Sequence, residues 1–442
     1  RPAGRRCSGG DVARRGGHLM AGPIPLDLLP DTVEVDVDGG TSIGGCDLVD
    51  LADEFGTPLF VYDEAHLRAR CREAVAAFGE GVAYAGKAFL CGAMARLVVE
   101  EGMHLDVATG GELFMARHAG VPGDRLVLHG NNKSERELEM AIEEGVGRIV
   151  VDSFDELDRL DALHAAIGAV PRVLLRITPG VEAHTHEFVT TGQDDSKFGF
   201  TVSTGLAAVA VERALASTSV DLAGIHAHIG SQVFEVGSLG RAAEVLARLA
   251  VMYDLAELSV GGGLGVAYIE GETAPTITQW GEVVRSACKA AGVTARVSAE
   301  PGRAIAAAAA VTLYRVGTIK DLEGIRTYVA VDGGMSDNPR PVLYGSGYET
   351  FLPRAGAAER PRSVRVVGKH CESGDLLVRE GWMPDGLAVG DVLATPVTGA
   401  YGHSMGSNYN QVLRPAVVFV VDGEATEVVR RESYVDLIRR EV

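Results

Sequence analysis

The feature that most constrains the fold of this chain is a rhythm. From about residue 60, short β-type runs alternate with amphipathic helical runs such as DEAHLRARCREAVAAF (63–78) and SERELEMAIEEG (134–145). Strand-like runs fall near 82–86 (VAYAG), 103–107 (MHLDV), 125–129 (RLVLH), 148–152 (RIVVD), 172–177 (RVLLRI), 223–229 (AGIHAHI), 257–261 (ELSVG) and 295–300 (ARVSAE). Eight βα units within about 250 residues predict an α/β chain whose core is a (β/α)8 barrel rather than an open doubly wound sheet. The loop after the fifth strand is the longest, GVEAHTHEFVTTGQDDSKFGF (180–200).

Past residue 305 the texture changes. Runs such as RTYVAVDGG, RSVRVVGKH and RPAVVFVVDG alternate with Gly and Pro turns and predict a β-rich C-terminal domain. Residues 21–60 carry similar short strand candidates and are expected to join it. The expected organisation is a basic, disordered tail (1–20), an N-terminal segment (21–60), the barrel (61–304) and the β domain (305–442). One stretch is in conflict: AIAAAAAV (304–311) favours helix by propensity, whereas the layout calls for a strand or a connection there.

Composition narrows the function classes. A net charge of −19 argues against a general nucleic-acid binder, which needs a basic surface. The longest apolar run, AIAAAAAVTLY (304–314), is too short to cross a bilayer, and no stretch has the build of a secretory leader. The six cysteines, at 7, 46, 71, 91, 288 and 371, show no CxxC pairing, so free thiols in a reducing cytoplasm are expected.

Barrel enzymes carry their chemistry at the C-terminal ends of the strands. Those ends supply Lys87, Asp106, His129, Asp152, Arg176, His228, Gly261–Gly263 and Glu300–Arg303. Lys87, in YAGKAFL, has a stem that would run among apolar neighbours, where desolvation favours the neutral amine that forms a Schiff base. On its own it also reads as a strand-end lysine reaching solvent. Glycines 261–263, in SVGGGLG, allow backbone amides to approach an anion after the seventh strand, a favoured phosphate position; a plain tight turn is the alternative. Glu300, in EPGR, needs a partner that a protonated ring nitrogen would supply, and Arg303 can grip a carboxylate or phosphate; a structural Glu–Arg pair is the other reading. His228 and Ser231, in HAHIGSQ, could face a cofactor ring and its phosphate. HTHE (184–187) lacks the i, i+4 spacing of a zinc helix and reads as a polar loop, so no metal is expected. Lysine, glycine cradle, carboxylate and histidine together describe pyridoxal 5'-phosphate on a barrel.

At this point the sequence resembles the fold-type III pyridoxal-phosphate decarboxylases. YAGKAF, LDVATGGEL, LHGNNKS, GVEAHTHEF…SKFGF, HIGSQ, GGGLG, EPGRAI, VDGGMSDN, GKHCESGD and TGAY occur in that family's order, from about residue 45 to the C-terminus. The resemblance implies that Lys87 carries the cofactor, His228 stacks on its ring and Glu300 holds the ring nitrogen protonated. It implies that Ser231, Gly261, Gly262, Gly263, Gly302 and Tyr401 hold the phosphate, with Asp106 and Arg303 beside the cofactor. Arg303, Arg340, Tyr344 and Tyr401 are expected to meet a distal substrate carboxylate, and Glu372 a distal amine. Cys371 is the expected proton donor. The resemblance further implies a homodimer with shared sites, in which Cys371 and Glu372 reach the other subunit's Lys87. The implied reaction is loss of carbon dioxide from meso-diaminopimelate at its D-centre, giving L-lysine.

GAYGHSM (399–405) departs from that family's usual GAYCYSM, so Gly402 and His403 put the shape of the phosphate edge in question. Two other readings are a sister decarboxylase for ornithine, lysine or arginine, for which Arg340 and Tyr344 would have nothing to hold, and a non-catalytic regulatory homologue, which would be expected to lose Lys87 or Cys371. An alanine racemase would need a second base opposite the lysine, for which no tyrosine is a good candidate.

Overall fold

The structure is a computed structural model and describes residues 21–181 and 193–442. Eight parallel strands follow one another in space in sequence order: Ala83–Ala85, His104–Val107, Leu126–Leu128, Arg148–Val151, Arg172–Thr178, Asp221–His226, Glu257–Ser259 and Arg296–Ser298. The first meets the last, because the amides of Ala83 and Ala85 donate to the carbonyls of Ala299 and Pro301. The sheet is therefore a closed barrel, as the eight-fold rhythm predicts. Each strand core lies within a residue or two of its expected position.

The helices between strands start where capping chemistry allows. Asp63 caps Glu64–Phe78 by accepting from the His66 amide, and Ser134 with Glu137 forms a capping box on Glu135–Glu143. Outward-facing residues such as Leu105, Ile149, Val173, Ile225 and Leu258 are buried under these helices.

The inward face is layered, because alternate residues of a strand share a face. A small apolar plug of Ala83, Val127, Val150, Leu174 and Ala223 fills its middle. Two residues to either side of Val150 and of Leu174, the same face turns polar. Toward the strand starts stand His104, Arg148, Arg172, Glu257 and Arg296, and toward the ends Asp106, Asp152, Arg176, Ser259 and Glu300. Each end of the barrel thus carries a charged ring.

A second, mixed sheet runs in the order Leu376–Met383, Arg362–Val367, Arg326–Val331, Ala310–Leu322, Leu59–Asp63, Ala416–Val421, Glu424–Val429, with Val392–Pro396 also paired to Ala310–Leu322. The chain thus enters the barrel from a strand of this sheet and returns to it after the eighth barrel strand. The alanine-rich stretch takes both conformations: Arg303–Ala306 is a helical turn, and from Ala310 the chain is strand. Ala310–Leu313 pairs with Leu59–Tyr62 on one side and Val311–Arg315 with Val392–Pro396 on the other, so sheet partners override the helical propensity of alanine.

Candidate active site

A cavity of about 640 Å3 opens at the C-terminal ends of the barrel strands. Lys87, Asp106, His129, Arg176, His228, Ser231, Gly262, Gly263, Glu300, Gly302, Arg303, Arg340, Tyr344 and Tyr401 all line it. Residues from 87 to 401 thus converge on one space, which only closure of the barrel and the return of the second sheet can arrange.

Glu300 forms the floor. Its Oε2 lies 2.8 Å from His226 Nε2, and its Oε1 accepts from the Ser259 hydroxyl at 2.9 Å. His129 Nε2 stands 3.5 Å from Glu300 Oε1 and 3.6 Å from Asp106 Oδ1. Burial pushes the Glu300 carboxyl up, but His226 and His129 outweigh it and hold Glu300 well below the usual carboxylate range. Burial likewise lowers His129, and Asp106 with Glu300 more than offset this, leaving its imidazole above its ordinary value. His226 is lowered by burial. Asp106 is raised by burial to about 6. The result is an ionised carboxylate in a buried setting, flanked by a neutral and a more basic histidine. His226 lies two residues before His228, and Ser259 ends the seventh strand. The period of two puts His226 on the cavity-facing side of its strand, a signal that was readable but absent from the residues singled out above.

Lys87 departs from expectation in one respect. The first strand stops at Ala85, and Lys87 lies on the 3-10 turn Gly86–Ala88 that follows. The turn swings it into the open mouth, so its side chain is exposed rather than enclosed by apolar neighbours. Among the described residues its amine has no hydrogen-bond or ion-pair partner.

The glycine run needs its composition. Gly263 has φ +123°, and a Cβ there would lie 2.5 Å from the Gly230 carbonyl oxygen. The Gly262 amide donates to His228 Nδ1 at 3.1 Å. Gly261 does not line the cavity, and its amide points to the Ser259 hydroxyl at 3.2 Å. Burial first, then Lys87 and Arg176, drive the His228 imidazole well below its ordinary value, so it is neutral.

Two arginines stand on the opposite wall. Arg303 donates to Tyr268 Oη at 2.6 Å and to Ser231 Oγ at 2.8 Å, and its guanidinium lies 4.6 Å from the Tyr401 ring centre. Arg340 donates to Tyr348 Oη at 2.6 Å and sits 4.1 Å over the Tyr268 ring. Both side chains are buried, and the Nε donor of each has no partner among the described residues. Tyr268 and Tyr348 carry no motif and were not foreseen. Asp152 and Arg176 pair with each other at 3.6 Å, with Arg176 over the Phe198 ring at 4.0 Å, and so brace the wall. HTHE (184–187) lies outside the described residues.

GKHCESGD (368–375) is elsewhere. Cys371 and Glu372 are exposed and do not line the cavity of their own chain. The loop is nevertheless built. Asp375, buried, accepts from the amides of Met335 (2.7 Å) and His370 (2.8 Å), and His370 Nε2 lies 2.8 Å from the Ser336 hydroxyl. A Cβ on Gly368 would stand 2.2 Å from an Asp375 oxygen, so close approach requires glycine there. The Cys371 amide donates to Asn410 Oδ1, and Tyr409 Oη is 3.5 Å from Glu372 Oε2. His403, the unusual residue after the phosphate-edge tyrosine, packs edge-on against Phe60 and Phe89, and burial lowers it to about 4.

These residues fit pyridoxal phosphate. An ionised, buried carboxylate suits a protonated ring nitrogen, a reachable amine suits the aldehyde, and a glycine run with no room for a Cβ suits a phosphate. Fold and site together define a barrel enzyme of the pyridoxal-phosphate class. Residues 64–307 match the family described as pyridoxal-dependent decarboxylase, pyridoxal binding domain. A diaminopimelate decarboxylase of Mycobacterium tuberculosis is 48% identical over 96% of this chain and 99% of its own. One of Bacillus subtilis is 45% identical over 91% of this chain and 95% of its own. The crystal structure of diaminopimelate decarboxylase from M. jannaschii in co-complex with L-lysine superposes with a TM-score of 0.86 at 32% identity, covering 93% of this chain and 98% of that one. The chain belongs to the diaminopimelate decarboxylase family of carboxy-lyases.

Proposed function

We propose that this chain, with pyridoxal 5'-phosphate, removes carbon dioxide from meso-diaminopimelate at its D-centre and gives L-lysine, the closing step of lysine biosynthesis. The observation that carries this reading is the pairing, within one cavity, of the Lys87–Glu300 axis with two buried arginines, Arg303 and Arg340, whose Nε donors lack partners among the described residues. A substrate with a second carboxylate gives those donors something to bind; ornithine, lysine and arginine do not. The M. jannaschii relative bears L-lysine.

When bound, the cofactor supplies a protonated pyridine ring that takes up the electron pair left by the departing carboxylate. Glu300 keeps the ring nitrogen protonated, and His226, His129 and Ser259 keep Glu300 ionised. Lys87 would hold the aldehyde end, and His228, neutral, would face the ring. Asp106, which lines the same cavity 3.6 Å from His129, would stand beside the cofactor and offset the charge of that imidazole. Ser231, Gly262, Gly263, Gly302 and Tyr401 would hold the phosphate, whereas Gly261, expected there too, lies outside the cavity and braces Ser259 under Glu300. Arg303, Arg340, Tyr344 and Tyr401 orient the distal carboxylate, so that only the D-centre presents its carboxylate for loss. Cys371 donates the proton that replaces carbon dioxide, and Glu372 binds the distal amine.

Cys371 and Glu372 stand outside their own chain's cavity, which supports a homodimer with sites shared between subunits. We assign the enzyme to the cytoplasm, a reading supported by the free state of the five described cysteines. No helix among the described residues is long and apolar enough to cross a membrane. The domain division proposed is a barrel at 61–304 and a β domain at 305–442 joined by 21–60; pairing of Leu59–Asp63 with Ala310–Leu313 and Ala416–Val420 supports it.

The deciding experiment is a product assay. The purified holoenzyme should release carbon dioxide from meso-diaminopimelate and accumulate lysine; turnover of ornithine or arginine with none of diaminopimelate would sink the reading. For the shared site, inactive Lys87→Ala and inactive Glu372→Ala proteins are mixed and subunit exchange is verified. Recovery of activity is expected, and no recovery argues against sites built from two chains.

A further inference from the structure

The other end of the barrel also has a cavity, of about 570 Å3, among the strand starts. Its inner wall is a buried carboxylate, Glu257, shared by three guanidiniums. Arg148 binds it through Nε and through Nη2 at 2.9 Å, Arg172 at 2.9 Å and Arg296 at 2.8 Å. Arg172 also meets the exposed Asp221 at 3.9 Å, so three guanidiniums face one buried and one exposed carboxylate, and with Arg125 the positive charges exceed the negative ones by two. The guanidinium of Arg125, also lining the cavity, makes no hydrogen bond or ion pair among the described residues. The two remaining acids of the lining, Glu80 and Asp124, are solvent-exposed and lie within 4 Å of none of these arginines, so water screens them.

A network built only to close the barrel would be balanced and packed. This one is neither, and it holds a further unpaired group. His104 lines the same cavity, is 6% exposed, and its Nδ1 has no hydrogen-bond partner among the described residues. Burial, then Arg148, Arg125 and Arg296, lower it to about 4, so the ring is neutral at pH 7 and adds no charge. It can still donate one hydrogen bond.

We propose that the closed end of the barrel is a binding site for a small oxyanion of phosphate size, held by Arg125, Arg148, Arg172 and Arg296 over Glu257. The excess positive charge is satisfied by a dianion, and planar guanidiniums suit tetrahedral or carboxylate oxygens. The apolar plug of Ala83, Val127, Val150, Leu174 and Ala223 separates this site from the cofactor mouth, so its occupant stabilises the barrel without entering the reaction.

The test titrates the cofactor-loaded enzyme with inorganic phosphate by calorimetry, at constant ionic strength, alongside thermal melts. Saturable binding with a rise in Tm is expected in the wild type. Arg125→Gln should weaken it by about tenfold, and Arg125→Glu further, with decarboxylation unchanged in both. Because the Arg125 side chain has no partner among the described residues to lose, both variants should fold. A dicarboxylate such as succinate, run in parallel, distinguishes a phosphate-type from a carboxylate-type occupant. Absence of saturable binding of either anion overturns the proposal. So does equal affinity in wild type and Arg125→Glu, and so does competition with the substrate, which would move the anion to the mouth.

Discussion

The two ends of the barrel are built from the same eight strands and the same alternation of side chains, yet they solve opposite electrostatic problems. At the mouth, acids gather: Glu300 is served by two histidines and a serine, Asp106 shares His129, and among the described residues the amine of Lys87 and the Nε donors of Arg303 and Arg340 have no partner. At the closed end, one acid is over-served, with Glu257 under three arginines. The mouth therefore holds its charges for something that arrives and leaves, whereas the base ties its carboxylate into the fold. Two polar rings, whose members lie four residues apart in Arg148/Asp152, Arg172/Arg176 and Arg296/Glu300 and two apart in His104/Asp106 and Glu257/Ser259, are kept independent by a single apolar layer.

That contrast can be broken at either end. Lys87→Ala should abolish turnover, by at least about a thousandfold, with the melt unchanged and no cofactor retained on the protein after borohydride; full activity would overturn the assignment of the amine. Glu300→Gln removes the charge that His226 and His129 sustain, and kcat should fall by about a hundredfold or more while cofactor still binds. A fall in KM alone would place Glu300 outside the chemistry.

At the closed end the effect should appear in stability instead. Glu257→Gln leaves three guanidiniums crowded without their counter-charge and should cost about 3–5 kcal/mol in urea unfolding, with kcat unchanged in the folded fraction. The pH dependence has a definite sign. Burial raises the Glu257 carboxyl, but Arg148 and Arg296 bring it down to about 2, below its unfolded value near 4.5. Its contribution is thus complete above about pH 4.5 and is lost as pH falls toward 2. Unfolding free energies of wild type and Glu257→Gln should converge across that window; parallel curves would show that the arginines do not hold the charge.

The smallest expected effect lies beyond the barrel. Asp375 positions the loop that carries Cys371 and Glu372 through the amides of Met335 and His370. Asp375→Ala should lower kcat by about tenfold and raise KM, with cofactor content unchanged and partial rescue in Asp375→Asn, which keeps an acceptor oxygen. Equal loss in both variants would point to the charge rather than to the loop's shape.

Much of this architecture was legible beforehand. The strand–helix rhythm names the barrel, and the residues at strand ends name most of the mouth, because period and polarity are local properties of the chain. The closed end was equally present in the sequence, as Arg148, Arg172, Glu257 and Arg296 each open a strand. What the sequence does not reveal is that these four side chains meet, because Arg148 and Glu257 stand 109 residues apart until the barrel closes. Tyr268 and Tyr348 could not have been found that way: they come from loops, and their value lies wholly in meeting Arg303 and Arg340. Lys87 shows the converse. Its position was right and its surroundings wrong, because a 3-10 turn that no pattern announces rotates it out of the wall.

By itself the sequence determined the repeating unit, the two faces of each strand and the glycines that admit close backbone approach, since these depend on neighbours within a few residues. Only the tertiary structure decided which charges meet. Glu300 joins His226 across 74 residues, and Arg148 joins Glu257 across 109. Coulombic and hydrogen-bond energies fall off over a few ångströms, so they act on distances in space that barrel closure sets and chain separation does not reveal. The same closure leaves Cys371 and Glu372 outside their own cavity, on a loop whose rigidity comes from Asp375 rather than from the reactive groups it presents.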